Sequence, residues 1–210
     1  MNKFFDPDNF FWRWFGRMAD IAVLSILWTL CCLPLVTIIP ASIALYDTIA
    51  HCIHGDEEHP YKHFFRCLKS ELLRGIGITI LWGVLAFVLA TGYNYLYYLG
   101  QSSQFAAMYS LVYLATMLIP VGILAWLIPL ESRFAHTFLG LHKTAATFTI
   151  VHLPTTGILL GVLIVGIVAL FFLPVLAFLL PGLIVTIQSW FIEKVFKNYL
   201  PKEDEHDTAV

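Results

Sequence analysis

Three long stretches of the chain contain no Lys, Arg, Asp or Glu, and this spacing of charge predicts where the chain crosses a membrane. The uncharged runs cover residues 21–46, 75–129 and 144–192, whereas one helical crossing needs about 20 residues. The second and third runs are each long enough for two crossings joined by a turn. The pattern therefore predicts a single transmembrane helical domain over 1–200, with hairpins at about 18–54, 75–130 and 155–197, and a polar cytoplasmic tail at 201–210.

The composition agrees with this pattern and indicates the fold class. The chain is 59% hydrophobic and 12% charged, whereas a soluble domain has about 25% charged residues. Only helices and closed barrels satisfy their backbone polar groups inside lipid, and the apolar runs have helical length. We therefore expect an all-α polytopic bundle in a lipid bilayer. The 12 basic and 14 acidic residues nearly balance, which gives no indication of a nucleic-acid partner.

The first uncharged run leaves two topologies open, because Pro34 and Pro40 interrupt it. A chain that crosses here once has five membrane segments, and its best orientation leaves the three basic residues of 3–17 outside. A chain that turns back at the prolines has six segments, with all 12 Lys and Arg on one side. Since basic residues favour cytoplasmic loops, we expect about six segments and cytoplasmic termini. The piece from Pro34 to His54 is short, so a full span and a re-entrant helix both stay open.

Small residues and prolines indicate where the helices approach one another or bend. Gly75 and Gly83 lie on one helical face, and Gly157 and Gly161 form a GxxxG motif. Such residues let helix backbones pack closely, and we expect both pairs to pack within the molecule. Pro120 interrupts the return of the second hairpin, where it predicts a kink.

The first hairpin ends in Asp47, His51 and His54, which are spaced i, i+4 and i+7 and therefore share one helical face. Carboxylate and imidazole groups one turn apart can hold a divalent transition metal or transfer protons near neutral pH. His59 and His63 follow in the next segment. The sequence has no HExxH and no second ligand motif on a partner helix. The pattern therefore favours a solvated helix end, and these three residues are only weak metal candidates.

Asp20 and Asp47 are ionisable residues within otherwise apolar segments, where such residues are functional candidates by default. A structural ion pair is the alternative interpretation for each. The basic residues available for pairing are Arg66 and Arg74 for Asp47, and Arg13 and Arg17 for Asp20.

No arrangement in the sequence indicates catalysis or a cofactor. We find no activated nucleophile, no phosphate-binding glycine loop and no pair of hydrolytic carboxylates, so no catalytic residue and no cofactor is predicted. The four cysteines form no CxxC motif. Cys31 and Cys32 fit small packing positions, and Cys52 and Cys67 belong to a segment predicted to face a reducing cytoplasm.

Several short motifs follow one another along most of the chain: LWxLCCLPxVTI at 27–38, PAxxALY at 40–46 and EExxYxxFF at 57–65, with further similar stretches at 131–154 and 179–196. Together they resemble the YesL family of bacterial membrane proteins, a domain of unknown function. Ile39, His51 and His54 depart from the family pattern. The resemblance implies a multi-pass protein of the bacterial cytoplasmic membrane. It also implies an accessory role in sugar uptake or envelope response, with carbohydrate ABC transporter or sensor components as partners.

Three functions are compatible with these observations. The first is a non-enzymatic accessory or scaffold protein for a carbohydrate transporter or sensor, and the second is a small-solute transporter or channel. The third, a membrane enzyme, lacks any catalytic pair. A polar cavity at the middle of the bilayer would favour transport, whereas a sealed bundle with an exposed apolar groove would favour partner binding.

Overall fold

The computed structural model describes residues 10–53, 59–100, 104–134, 137–172 and 178–199, and it consists of helices. No strand occurs within these ranges, so the predicted all-α fold class is confirmed. A 3₁₀ turn, Leu35–Thr37, precedes the second helix, and a π-helical turn, Ile49–Ile53, extends it. The α-helices in chain order are α1 Phe10–Cys31, α2 Ile38–Thr48, α3 Pro60–Gly100, α4 Gln104–Thr116, α5 Leu118–Arg133, α6 Phe138–Val151, α7 Leu153–Phe172 and α8 Leu180–Phe196.

Four helical segments are long and apolar enough to cross a membrane by length and composition: Leu35–Cys52, Pro60–Gly100, Met108–Arg133 and Leu153–Phe172. Their outer faces carry large apolar side chains, as at Phe87 and Phe171, which are 73% and 86% exposed. Exposed apolar surface of this extent is stable in lipid and unstable in water. The chain is therefore an integral membrane protein.

The chain reverses direction between α1 and α2, as the six-segment topology predicts. The Trp28 indole N–H donates to Ser42 Oγ at 3.1 Å, whereas 14 residues of straight helix would separate them by about 21 Å. The reversal follows Cys31 and contains Pro34. Pro40 lies in the first turn of α2, where its missing N–H leaves no hydrogen bond unmade.

Gly75 and Gly166 are two of the glycines at which helices approach closely, and only Gly75 belongs to the predicted set. A Cβ added to Gly75 would lie 2.6 Å from Pro40 Cβ, so α3 packs directly against α2 there. A Cβ at Gly166 would lie 2.3 Å from Ile184 Cδ1, which sets the approach of α7 and α8. The other two predicted contacts are wrong for the described chain: Gly83 and the pair Gly157 and Gly161 have open space around their Cβ positions.

Pro120 explains why the return of the second hairpin is two helices. Its ring would clash with the carbonyl group four residues earlier, which belongs to Thr116. The helix α4 ends at that residue, and α5 begins at Leu118 after a turn at Met117. The predicted kink is therefore a break.

The helix α6 was not predicted, and it packs against α5. Its buried residues Leu141, Ala145 and Thr149 recur every four positions along one face. Thr137 caps its start by accepting a hydrogen bond from the Gly140 N–H. A core around Trp126 joins α5 and α6 to α3, α7 and α8. A second core around Leu24, Leu45 and Phe64 joins α1, α2 and α3.

The ends of α2, α5 and α8 meet the first part of α3, and we call this region the basic end. Its basic residues include Arg66, Arg74, Arg133 and Lys194. The distribution of Lys and Arg along the chain is the basis of our prediction that this end faces the cytoplasm.

Candidate functional site

Asp47 lies in the last turn of α2, at the centre of a polar cluster in the basic end. Its side chain is 13% exposed. Ser132 Oγ donates to Oδ1 at 2.8 Å, and His51 Nδ1 lies 3.0 Å from the same oxygen. His63 Nε2 lies 2.6 Å from Oδ2. Three donors from three elements therefore satisfy a carboxylate that would be unstable if buried alone.

The π-helical turn brings His51 to this carboxylate. A π turn adds one residue to the helical repeat, and such turns occur frequently at functional sites. His51 Nδ1 also lies 3.1 Å from the backbone carbonyl of Asp47. His63 approaches from the first turn of α3, and the two imidazole centroids are 5.8 Å apart. The carboxylate thus lies between two rings from different segments.

An arginine contacts the far nitrogen of each ring, and this constrains where the ring protons lie. Arg133 Nη1 is 2.9 Å from His51 Nε2, and Arg66 Nη2 is 3.1 Å from His63 Nδ1. Guanidinium groups only donate hydrogen bonds. A far nitrogen that accepts such a hydrogen bond presents a lone pair, and in that tautomer each imidazole points its N–H group at Asp47.

Arg133 connects this cluster to α8. Its Nε and Nη2 donate to Glu193 Oε1 at 3.0 and 2.8 Å, and the Tyr46 hydroxyl donates to the same oxygen at 3.0 Å. Charge-assisted hydrogen bonds of this kind are stronger than neutral ones. One side chain therefore ties α5 to both α2 and α8.

A second ion pair joins α3 and α5. Arg74 Nε lies 2.7 Å from Glu131 Oε1, and the Glu131 side chain is only 1% exposed. The contact is close but does not have hydrogen-bond geometry. Among the residues that the structure describes, no donor hydrogen-bonds to either carboxylate oxygen of Glu131. Glu131 is thus a buried carboxylate stabilised mainly by one partly exposed guanidinium.

An open cleft of about 360 Å³ lies beside both acidic groups. Its lining residues are Ile43, Asp47, His63, Arg66, Cys67, Ser70, Glu71, Glu131 and Ser132. They include charged groups of both signs, hydroxyls and one thiol. The cleft can therefore admit water, an ion or a polar group of a partner to the edge of the cluster.

The structure brings together part of the predicted set. Asp47 and His51 meet as their spacing predicts, but His54 lies outside the described residues. His63, from the next helix, supplies the second imidazole. The predicted pairing of Asp47 with an arginine is wrong, because Arg66 contacts His63 and Arg74 contacts Glu131.

Asp20 has a partner that the sequence did not indicate. Its carboxylate accepts a hydrogen bond from the hydroxyl of Tyr61, in the first turn of α3. The side chain of Arg13, one of its two predicted partners, lies outside the described part of the chain. The contact places the start of α3 beside α1, within the basic end.

Several residues of the cluster were missed: Tyr46, Glu131, Ser132, Arg133 and Glu193. A signal for two of the charges was present in the sequence. Arg74 and Glu131 are the nearest charged residues on either side of the uncharged run 75–129. Because a hairpin returns to the side from which it started, these two residues must lie at the same end of the bundle. No comparable signal indicates Glu193, which depends on how α8 packs.

Comparisons with known proteins give one match. A family model described as "Protein of unknown function, DUF624" matches residues 21–93. The matched part carries Asp47, His51, His63 and Arg74, but it ends before the helices that supply Ser132, Arg133 and Glu193. No curated protein and no solved structure gives a match.

Proposed function

We propose that this protein is a non-enzymatic accessory or scaffold protein of a bacterial cytoplasmic membrane, which binds a partner at its basic end. The resemblance to the YesL family supports a setting in carbohydrate uptake or envelope sensing, with a carbohydrate transporter or sensor component as the partner. The observation that carries the proposal is the separation of a closed apolar interior from a polar cluster at one end.

The interior of the bundle supports partner binding over transport. Trp126, Leu127, Leu130 and Phe196 are all fully buried in one apolar core that reaches from α3 to α8. Secondary transporters bind solutes near the bilayer midplane, at polar groups on interrupted helices. A packed core of large apolar side chains gives a solute no such groups.

The buried hydroxyl groups support the same interpretation. Ser25, Thr48 and Thr149 each donate to the backbone carbonyl four residues earlier in their own helix. Thr156 accepts from the Trp126 indole N–H at 2.9 Å. These groups are satisfied within the protein, so they do not mark a path for ions or sugars.

The outer surface offers an additional contact region within the membrane. An apolar groove of about 380 Å³ runs between α7 and α8, and its lining includes Gly161, Val165 and Ile184. Gly157 lies one turn before Gly161 and has open space at its Cβ position. A sealed bundle with a groove of this kind suits a protein that associates with other membrane helices.

One observation favours a small-solute or ion transporter as the second candidate. Glu131 is a buried carboxylate whose oxygens accept no hydrogen bond from the described residues, and it borders the open cleft. Intramembrane carboxylates commonly mark ion or proton pathways. The two candidates differ in what Glu131→Gln should do, because loss of this charge would stop transport but leave partner binding largely intact.

Site-specific photocrosslinking in native membranes tests the accessory function. A photoreactive residue at Ser70, which is exposed on the cleft, should give a discrete adduct with a membrane transporter or sensor component. The same residue at Val168, which is 49% exposed on α7, is the matched control and should label lipid or a different neighbour. Equal adduct patterns at both positions would count against a partner at the basic end.

Two further measurements separate the candidates. Cells that lack the protein should grow poorly on a complex carbohydrate, and both the wild type and Glu131→Gln should restore growth. Purified protein in liposomes should show no ion or sugar flux above protein-free vesicles. Flux that Glu131→Gln abolishes would replace the accessory function with transport.

A further inference from the structure

We propose that Asp47, His51 and His63 form a binding site for a divalent transition metal of the zinc class. The site would use one carboxylate oxygen of Asp47, Nδ1 of His51 and Nε2 of His63. The proposal is independent of the accessory function, because it rests on the chemistry and placement of these three side chains.

The three ligand atoms already converge. His51 Nδ1 is 3.0 Å and His63 Nε2 is 2.6 Å from the Asp47 carboxylate, and one ligand atom from each residue lies within 4.8 Å of the other two. Zinc binds nitrogen and oxygen ligands at about 2.0–2.2 Å, so the ligands of one ion are separated by a little over 3 Å. A small outward movement of the rings would reach that spacing.

The third ligand, His63, comes from a separate helix. The solvated end of a single helix would not supply a ligand from a second helix. Asp47 and His51 belong to one helical segment, and His63 approaches from α3 on the other side of the carboxylate. The His63 side chain is 15% exposed. Ser132 orients the carboxylate from α5 by donating to Oδ1. Such outer hydrogen bonds fix the direction of ligands in known metal sites.

The ligand set and the adjoining cleft indicate which metals fit. Two imidazoles and a carboxylate suit Zn²⁺, Co²⁺ or Ni²⁺, whereas Mg²⁺ and Ca²⁺ prefer oxygen ligands. Three protein ligands leave a fourth position open for water or a partner group. Asp47 and His63 both line the cleft, which gives a metal ion access from the basic end.

Metal binding requires a change in the hydrogen bonds of both rings. In the tautomer whose N–H groups point at Asp47, each proton must move to the far nitrogen through solvent, with no net change in ring charge. The far nitrogens would then donate, and the contacts with Arg133 and Arg66 would have to open. Metal-binding histidines normally donate to an acceptor at the far nitrogen. The two arginines therefore weaken metal binding here, relative to a site whose far ring nitrogens face acceptors.

Cobalt titration of the purified full-length protein tests the site. The protein, in detergent and without a histidine tag, should bind one Co²⁺ per chain with the visible absorption of four-coordinate cobalt, and Zn²⁺ but not Mg²⁺ should displace it. His63→Gln keeps a hydrogen-bond donor for Asp47 but removes the imidazole. We expect it to weaken binding by at least about tenfold, since even outer-shell changes weaken metal sites by 10–100-fold. His51→Ala should have a similar effect.

Two control variants make the test specific. His142→Ala removes an imidazole on α6 that contacts Trp82, and it should leave cobalt affinity unchanged. Arg66→Gln replaces a donor beside His63 with a side chain that can accept from Nδ1–H, so it should bind cobalt several-fold more tightly. Equal affinity of the wild type and His63→Gln, or an absence of four-coordinate absorption, would overturn the proposal. Loss of binding in His54→Ala alone would overturn the assignment of His63.

Discussion

Removal of the Arg74 guanidinium should destabilise the protein more than neutralisation of its partner, Glu131. In Arg74→Met the apolar stem is retained, while a carboxylate that is 99% buried loses its only nearby cation among the described side chains. Breaking a fully buried pair by removing one partner costs about 3–5 kcal/mol. Arg74 is 36% exposed, so solvent already screens part of the attraction, and we expect a loss of about 2–3 kcal/mol.

Glu131→Gln should have a smaller effect, because it removes the buried charge and preserves the shape of the side chain. Neither oxygen of Glu131 accepts a hydrogen bond from the described residues, so the substitution loses none within that part of the chain. The partly exposed guanidinium can turn to water. We therefore expect a change within about 1 kcal/mol. The double variant should resemble Glu131→Gln alone, with a coupling energy of about 2 kcal/mol.

Thermal unfolding in detergent, followed by tryptophan fluorescence, measures this difference. At roughly 2–4 °C per kcal/mol for a chain of this size, Arg74→Met should lower the Tm by about 5–10 °C, and Glu131→Gln by no more than about 4 °C. Trp126 is fully buried in the core, so its fluorescence reports unfolding of the bundle. Equal and additive effects of the two single substitutions would refute the reasoning, because they would show that the two side chains do not interact.

The remaining predictions concern packing and topology. Gly75→Ala should lower stability by about 1–3 kcal/mol in the same unfolding assay, because its Cβ would overlap the Pro40 ring; Gly77→Ala, with open space at Cβ, is the matched control and should be neutral or slightly stabilising. An impermeant thiol reagent should leave Cys67 unlabelled in intact cells and label it after permeabilisation, while the buried Cys52 stays unlabelled in both. Labelling of Cys67 in sealed cells would reverse the predicted orientation.

The distribution of charge along the sequence predicted where the long apolar helices lie, because lipid imposes a simple rule. Among the described residues, four of the six predicted segments are long and apolar enough to cross a membrane. A charged residue is unstable in the hydrocarbon layer, so the run 75–129 had to contain the crossing helices, and its flanking charges had to lie at its ends. The break at Pro120 follows from equally local chemistry. These features need no knowledge of how the helices pack.

The composition of the polar cluster could be predicted only in part, because most of it depends on packing. The spacing of Asp47 and His51 predicted their contact, since residues four apart on a helix are neighbours. The position of His63 depends on how α3 packs beside α2, and that of Glu193 on how α8 packs beside both. The helix α6 was missed because its apolar face is short and interrupted by Thr149.

The unbroken length of α3 has a mechanical consequence. Its 41 residues span about 61 Å, more than the 40–45 Å of a bilayer with its headgroups. His63 lies in its first turn, and towards its other end α3 packs against α4, where the Tyr113 hydroxyl donates to the backbone carbonyl of Leu89 at 3.2 Å. A stiff rod magnifies small rotations, so a tilt of about 5° about the close contact of Gly75 with Pro40 would displace the far end of α3, about 38 Å away, by about 3 Å. A movement of His63 that tilts α3 as a rigid body would therefore also move the end of α3 that lies beside α4.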